Sequence, residues 1–281
     1  MKNIIKPLLK FGLLAALLGY VYFPTFLWMV DRWSARDSYY GHGFLIPLVS
    51  LFWIFQKRKA LHSAPKETGK AGFAVLLAGG LIQVASSFLR IYFLSAMSFV
   101  IILLGAVYYL YGKKVFREVW FPVAFLLLMI PLPLLAISEI TLKMKFFVSE
   151  ISTYLINSTG IEAIRQGSYI YMPHSVLLVG DPCSGLRSFL AFLCLGLVFA
   201  YDKKLRFWQK SVLVSVGLPL AVSSNVVRVW FLGLVAEIYG MQHTGPGSIP
   251  HDAGGVAVFV MAFLVFLLIR KKMESLNVRL G

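Results

Sequence analysis

Residues 180–200 read GDPCSGLRSFLAFLCLGLVFA. A polar mouth holding an aspartate, a proline, a cysteine and an arginine opens onto an uncharged run from Ser188 to Ala200. Such a run is either the core helix of a large soluble domain or a membrane span, and the rest of the chain decides which. Hydrophobic residues make up 59% of the 281 and charged residues 14%, against roughly 45–50% and 25% in soluble domains. Mean hydropathy is +0.78. The run is therefore read as a span, and the chain as an all-α polytopic membrane protein in which residues 1–281 form a single integral-membrane domain. Eight spans are expected, near Leu8 to Val30, Gly43 to Phe55, Ala71 to Phe88, Tyr92 to Tyr111, Val119 to Leu135, Pro182 to Ala200, Ser211 to Val229 and Asp252 to Ile269.

In a soluble protein a formal charge of +15 would point to nucleic acid; here the cations must first be sorted by loop. The N-terminus, the stretches QKRKALHSAPKETGK, GKKVFRE and DKKLRFWQK, and the C-terminal tail together hold 19 of the 27 lysines and arginines. The positive-inside rule assigns these segments and both termini to the cytoplasm. It leaves Asp31 to Asp37 and Ile140 to Val179 outside. The charge is thus a topology signal, and no nucleic-acid partner is expected. The first span is longer than a signal-peptide core and no A-x-A site follows it, so it is read as retained.

With those assignments the polar mouth faces outward. Asp181 is placed to cap the helix, Pro182 suits its first position, and Cys183 then falls in the first turn. Orphan N–H groups and the helix dipole favour a thiolate there, and Arg187, four residues on, shares the face. Cys194, mid-span, reads as a helix-packing residue. The two cysteines are eleven positions apart on one helix, about 16 Å, too far for a disulfide.

Asn225 and Arg228 lie three apart on one face of the apolar segment SSNVVRVWF, where a charge is costly. Counted from the cytoplasmic cations Lys210, Lys203 and Arg270 at 1.5 Å per residue, Arg228, Cys183 and His251 come to about 27, 30 and 28 Å. All three reach the outer boundary at one level. Each has a dull reading: Arg228 as a snorkelling side chain, His251 as part of a polar loop. Together they supply a nucleophile, a proton carrier and a fixed cation, which suffices for acyl transfer. The scattered histidines carry no HExxH and the cysteines no CxxC, so no metal or other cofactor is expected.

The longest external stretch repeats Ile137, Ile140, Met144, Phe147, Ile151 and Tyr154 at helical spacing. It predicts an amphipathic helix, either along the outer interface or packed on other spans. SYIYM and VLLV around PHS predict a short β-hairpin leading into Asp181 and Cys183. Such a strand either aligns an extended peptide by edge pairing or merely covers the site.

The blocks YGHGFLIPLVSLFWIF, FPVAFLLLMIPLPL, DPCSGLRS, NVVR and HDAGG, spanning Tyr40 to about Phe266, resemble those of the exosortase and archaeosortase family, multi-span membrane enzymes that process surface proteins. The resemblance implies that Cys183 is the nucleophile, Arg228 the essential cation and His251 the third catalytic residue. Asp181, Arg187 and Asn225 would support them. His42 falls in the early block without an assigned role. The family's substrates are membrane-anchored proteins with a C-terminal sorting signal: a short motif such as Pro-Glu-Pro, one hydrophobic span, and a basic cytoplasmic tail. Cleavage would leave an acyl-enzyme, resolved by an acceptor amine or by water. The partners implied are these proteins, the bilayer and the acceptor. Two other readings compete on residues alone: a transporter with Asn225 and Arg228 on its path, and a non-catalytic assembly component for exported polysaccharide, which needs no thiol.

Overall fold

The computed structural model describes residues 2–35, 38–65, 67–201, 205–245 and 247–280; the side chains of 2–11, 13–15, 182, 250–251 and 277–280 lie outside the described set. Helix accounts for 81% of the chain, and the hydrophobic sequence folds as expected for an all-α membrane protein. By compactness the chain divides into two units, Met1–Pro133 and Leu134–Gly281.

In the first unit α1 (Lys2–Ser34), α2 (Leu45–Gln56), a short α3 (Arg58–Ser63), α4 (Lys70–Leu89) and α5 (Tyr92–Phe125) follow in order. Polar side chains join α4, α5 and α1: Gln83 accepts from Ser95 (2.7 Å) and Ser98 (2.9 Å), and the Tyr22 hydroxyl lies 2.7 Å from that of Ser98. Bonds of this kind hold helices together where apolar burial gives no net drive. α5 is not one rod. Gly112 has φ 75° and ψ −174°, and a Cβ there would stand 2.4 Å from the Glu67 carbonyl oxygen, so only glycine fits. The first limb lies along α4, with Gly79 against Ile102 and Gly72 against Tyr109. The second lies along α2, through Ser50 to the Pro122 carbonyl (2.7 Å) and Lys57 to Glu118 (3.3 Å).

The second unit begins with α6 (Leu134–Ser158), then a three-stranded antiparallel sheet of β1 (Ile164–Gln166), β2 (Tyr169–Tyr171) and β3 (Val176–Leu178) in that order. The expected hairpin is β2–β3, in the register Tyr169↔Leu178, Ile170↔Leu177, Tyr171↔Val176. β1 is an addition that three residues, IRQ, gave no periodicity to reveal. The helices α7 (Leu186–Ala200), α8 (Phe207–Tyr239) and α9 (Ile249–Leu280) close the unit. Phe192, Phe199, Leu213 and Phe266 are buried among them.

Of the eight expected spans the helices bear out a part. Among the described residues, four helices are long and apolar enough to cross a membrane: Lys70–Leu89, Tyr92–Met129, Phe207–Tyr239 and Asp252–Leu276. The 38-residue helical stretch Tyr92–Met129 is divided at Gly112 into two limbs, and the break falls between the two expected spans, Tyr92 to Tyr111 and Val119 to Leu135. Gly41–Gln56 and Leu186–Ala200 are apolar but shorter than the ~20 residues a span requires. Some side chains of the expected first span, and Lys203 and Lys204 of the expected basic loop, lie outside the described set.

α6 is the predicted amphipathic helix, with a different face turned inward. Ile137 of the apolar stripe is buried, but Ile140 (40%), Phe147 (53%) and Tyr154 (74%) are exposed. The packed face mixes apolar and small polar residues: Val148 and Ile156 are fully buried, while Ser149 donates to the Gly167 carbonyl and Ser152 to that of Val226 on α8.

Candidate active site

β3 delivers the chain to Gly180, extended at φ −75° and ψ 179°, and then into a 3-10 turn, Asp181–Cys183. The Cys183 N–H donates to the Gly180 carbonyl (3.0 Å) and the Ser184 N–H to that of Asp181 (3.1 Å). Gly185, at φ 86°, then swings the chain into α7, which starts only at Leu186. The expected geometry is corrected here in two respects. Cys183 belongs to the turn before α7 rather than to its first helical turn, because the left-handed Gly185 separates them. Asp181 does not cap α7, whose N-cap position is Gly185; its carboxylate pairs with Lys145 of α6.

The turn is clamped from α8. Asn225, 2% exposed, donates from Nδ2 to the Cys183 carbonyl, fixing the backbone that carries the thiol. The positive φ selects glycine at 185, where an added Cβ would lie in van der Waals contact with Asn225 Cβ and Met144 Cε at 3.4 Å each. Cys183 is 9% exposed, in one buried cluster with Leu177, Val179, Val226 and Val229. Burial pushes its thiol above the ordinary range, while the charges of Arg228 and then Arg187 act in the opposite direction. Both expected arginines therefore reach the thiol electrostatically, but burial is the larger effect and the resting group is the thiol.

Side-chain register supports the argument from depth. Along the antiparallel α7 and α8, Gly185 meets Asn225, Gly217 meets Phe192 and Gly196 meets Leu213. Along α8 and α9, Gln209 bonds the Met273 carbonyl (3.2 Å) and Arg228 faces Gly254 and Gly255. A Cβ at Gly254 would lie 3.8 Å from Arg228 Cγ and Nε, and one at Gly255 3.8 Å from Nη2. Hence the early turns of α9 lie against the guanidinium. The backbone of His251 belongs to the first turn of α9; its side chain, like that of Pro182, is outside the described residues. Arg228 also heads a cavity of about 740 Å³ between α8 and α9, lined further by Ser224, Val227, Phe231, Ile249 and Met261. Val227, Phe231, Ile249 and Met261 are exposed, so the cavity opens on the flank of the helices.

His42 lies in the first unit, in the turn Gly41–Phe44, its ring 5.9 Å from that of Tyr40. Cys194 is buried within α7, and both cysteines are free. Two further contacts escaped the sequence reading. Lys145 sits on the packed face of α6, four residues from Thr141 and from Ser149, a spacing that could have flagged it. Glu237 of α8 accepts from the His174 N–H (3.0 Å) and the Ser175 hydroxyl (2.8 Å), tying down the β2–β3 turn; nothing local in the sequence links residues so far apart.

A family model of transmembrane exosortases matches residues 33–268. The chain belongs to the transmembrane exosortase family. No curated protein and no solved structure matches it.

Proposed function

We propose that this exosortase is a cysteine peptidase or transpeptidase of the cytoplasmic membrane. It would cleave C-terminal sorting signals at the extracytoplasmic face, with both termini in the cytoplasm. The observation that carries the reading is the Cys183 turn, where a buried thiol lies in the field of Arg228 and Arg187 while Asn225 holds its carbonyl. In this scheme His251 takes the proton from Sγ, and the thiolate attacks the carbonyl carbon of the scissile peptide bond. The Arg228 fork donates to the oxyanion. Collapse breaks the C–N bond, the leaving amine takes the proton from His251, and a thioester remains on Cys183. An amine or water then attacks the thioester and restores the thiol.

The test is a band shift. A precursor bearing Pro-Glu-Pro, a hydrophobic span and a basic tail, co-expressed with the enzyme, should be shortened. With Cys183→Ala, inserted at normal level, it should persist at full length. Cys183→Ser should do almost as badly, since an alcohol is far less acidic, whereas Cys194→Ala should process normally. Conversion of the precursor by the alanine variant would remove Cys183 from the mechanism.

A further inference from the structure

The strand that leads into the Cys183 turn has one side unused. In an antiparallel pair, residues that exchange hydrogen bonds with the partner strand alternate with residues that do not. The Val179 N–H donates to the Ser168 carbonyl and the Met172 N–H to that of Ser175, both 2.9 Å. The pairing Ile170↔Leu177 falls between them in the same register, so Leu177 is the residue of β3 that bonds to β2. Val176 and Leu178 then direct their N–H and C=O groups away from β2. β3 is last in the strand order, and no further strand pairs with it among the described residues. Both side chains are exposed, at 40% and 48%.

We propose that this edge binds the cleaved protein as an added strand, by main-chain hydrogen bonds to Val176 and Leu178. The proposal rests on the reading of Cys183 as the attacking group. An outward row of donors and acceptors calls for an extended peptide backbone; acyl chains offer neither. The strand is continuous with the cysteine turn, since Leu178 is five residues before Cys183, and Leu177, Val179 and Cys183 share one buried cluster. Glu237 fixes the opposite end of β3 through His174 and Ser175. A peptide paired with this edge is led toward the thiol in one register, set by backbone groups rather than by its side chains.

Two measurements test this. In the full-length Cys183→Ala protein, a photoreactive benzoylphenylalanine replaces Leu178, or Ile164 on β1 as control. Each variant is co-expressed with the precursor bearing Pro-Glu-Pro, a hydrophobic span and a basic tail. Position 178 should cross-link to the precursor and position 164 should not. Equal cross-linking from both, or cross-linking of 178 only to lipid or to a second copy of this chain, overturns the proposal. In the Cys183-containing protein, Leu178→Pro removes only the outward N–H, because proline is tolerated where an edge strand's N–H does not pair. It should slow processing about tenfold relative to Leu178→Ala, a loss of the order expected for one hydrogen bond. Equal rates for the two variants would overturn edge pairing. Failure of the nucleophile reading is distinguishable, because the cross-link forms without any chemistry at Cys183.

Discussion

At Cys183 two effects oppose each other, and their order has a kinetic consequence. Burial raises the thiol above its ordinary range, and the charges of Arg228 and Arg187 recover only part of that. A thiol pushed above its already alkaline ordinary range is protonated at neutral pH, so its reactivity must climb as the solution becomes more alkaline. In a Cys194→Ala background, the rate of Cys183 alkylation by a small maleimide should rise through and beyond the ordinary thiol range without levelling near neutrality. Arg228→Gln removes the larger opposing charge and should displace that profile to still higher pH; an unchanged profile would mean that Arg228 does not act on the thiol. Arg228→Lys separates charge from shape. It should leave the alkylation profile close to that of the parent protein yet lower processing by about 10²-fold or more, the order found on losing an oxyanion donor. A merely snorkelling arginine would tolerate lysine.

Among the elements, the turn into α7 and the break in α5 both depend on glycine. Gly185→Ala forces a side chain into positive φ against Asn225 and Met144. It should reduce processing several-fold by displacing the Cys183 turn, while the amount of inserted protein changes little. Gly112→Val combines positive φ with a collision against the Glu67 carbonyl; strain of this kind costs roughly 1–3 kcal/mol, to be read as a lower melting temperature in detergent. These positions also mark how far the sequence could be read. The hairpin, α8 and the level shared by Cys183 and Arg228 were legible, because alternation and residue counts carry them directly. The start of α7 was not, since DPCSGL offers a proline and a cap-like aspartate while the deciding fact is the left-handed Gly185. α6 misled for another reason. Ile140, Phe147 and Tyr154 of the stripe stay outside, while the neighbouring face buries Val148 and Ile156 and bonds through Ser149 and Ser152. Periodicity found the helix and could not choose its inner face.

For the whole molecule the decisive question is sidedness. The 33 residues of α8 extend about 50 Å at 1.5 Å per residue, more than the ~30 Å hydrocarbon layer. Its two ends are therefore expected in different compartments. Ser168 lies in the β1–β2 turn and Ser275 on the final basic stretch of α9. Single cysteines at these positions, in a chain otherwise free of cysteine, should label from opposite faces with a membrane-impermeant reagent. Labelling of both from one face would overturn the orientation inferred from the basic residues. The cavity headed by Arg228 has a further consequence, because it opens on the flank of α8 and α9 and not along their axes. A guest entering from that side arrives by diffusion within a sheet, and the frequency of encounters is then set by molecules per unit area. Reconstituted at fixed enzyme and precursor in vesicles of increasing total lipid, processing should slow in proportion to the added lipid, whereas diluting the same vesicles with buffer should leave it unchanged.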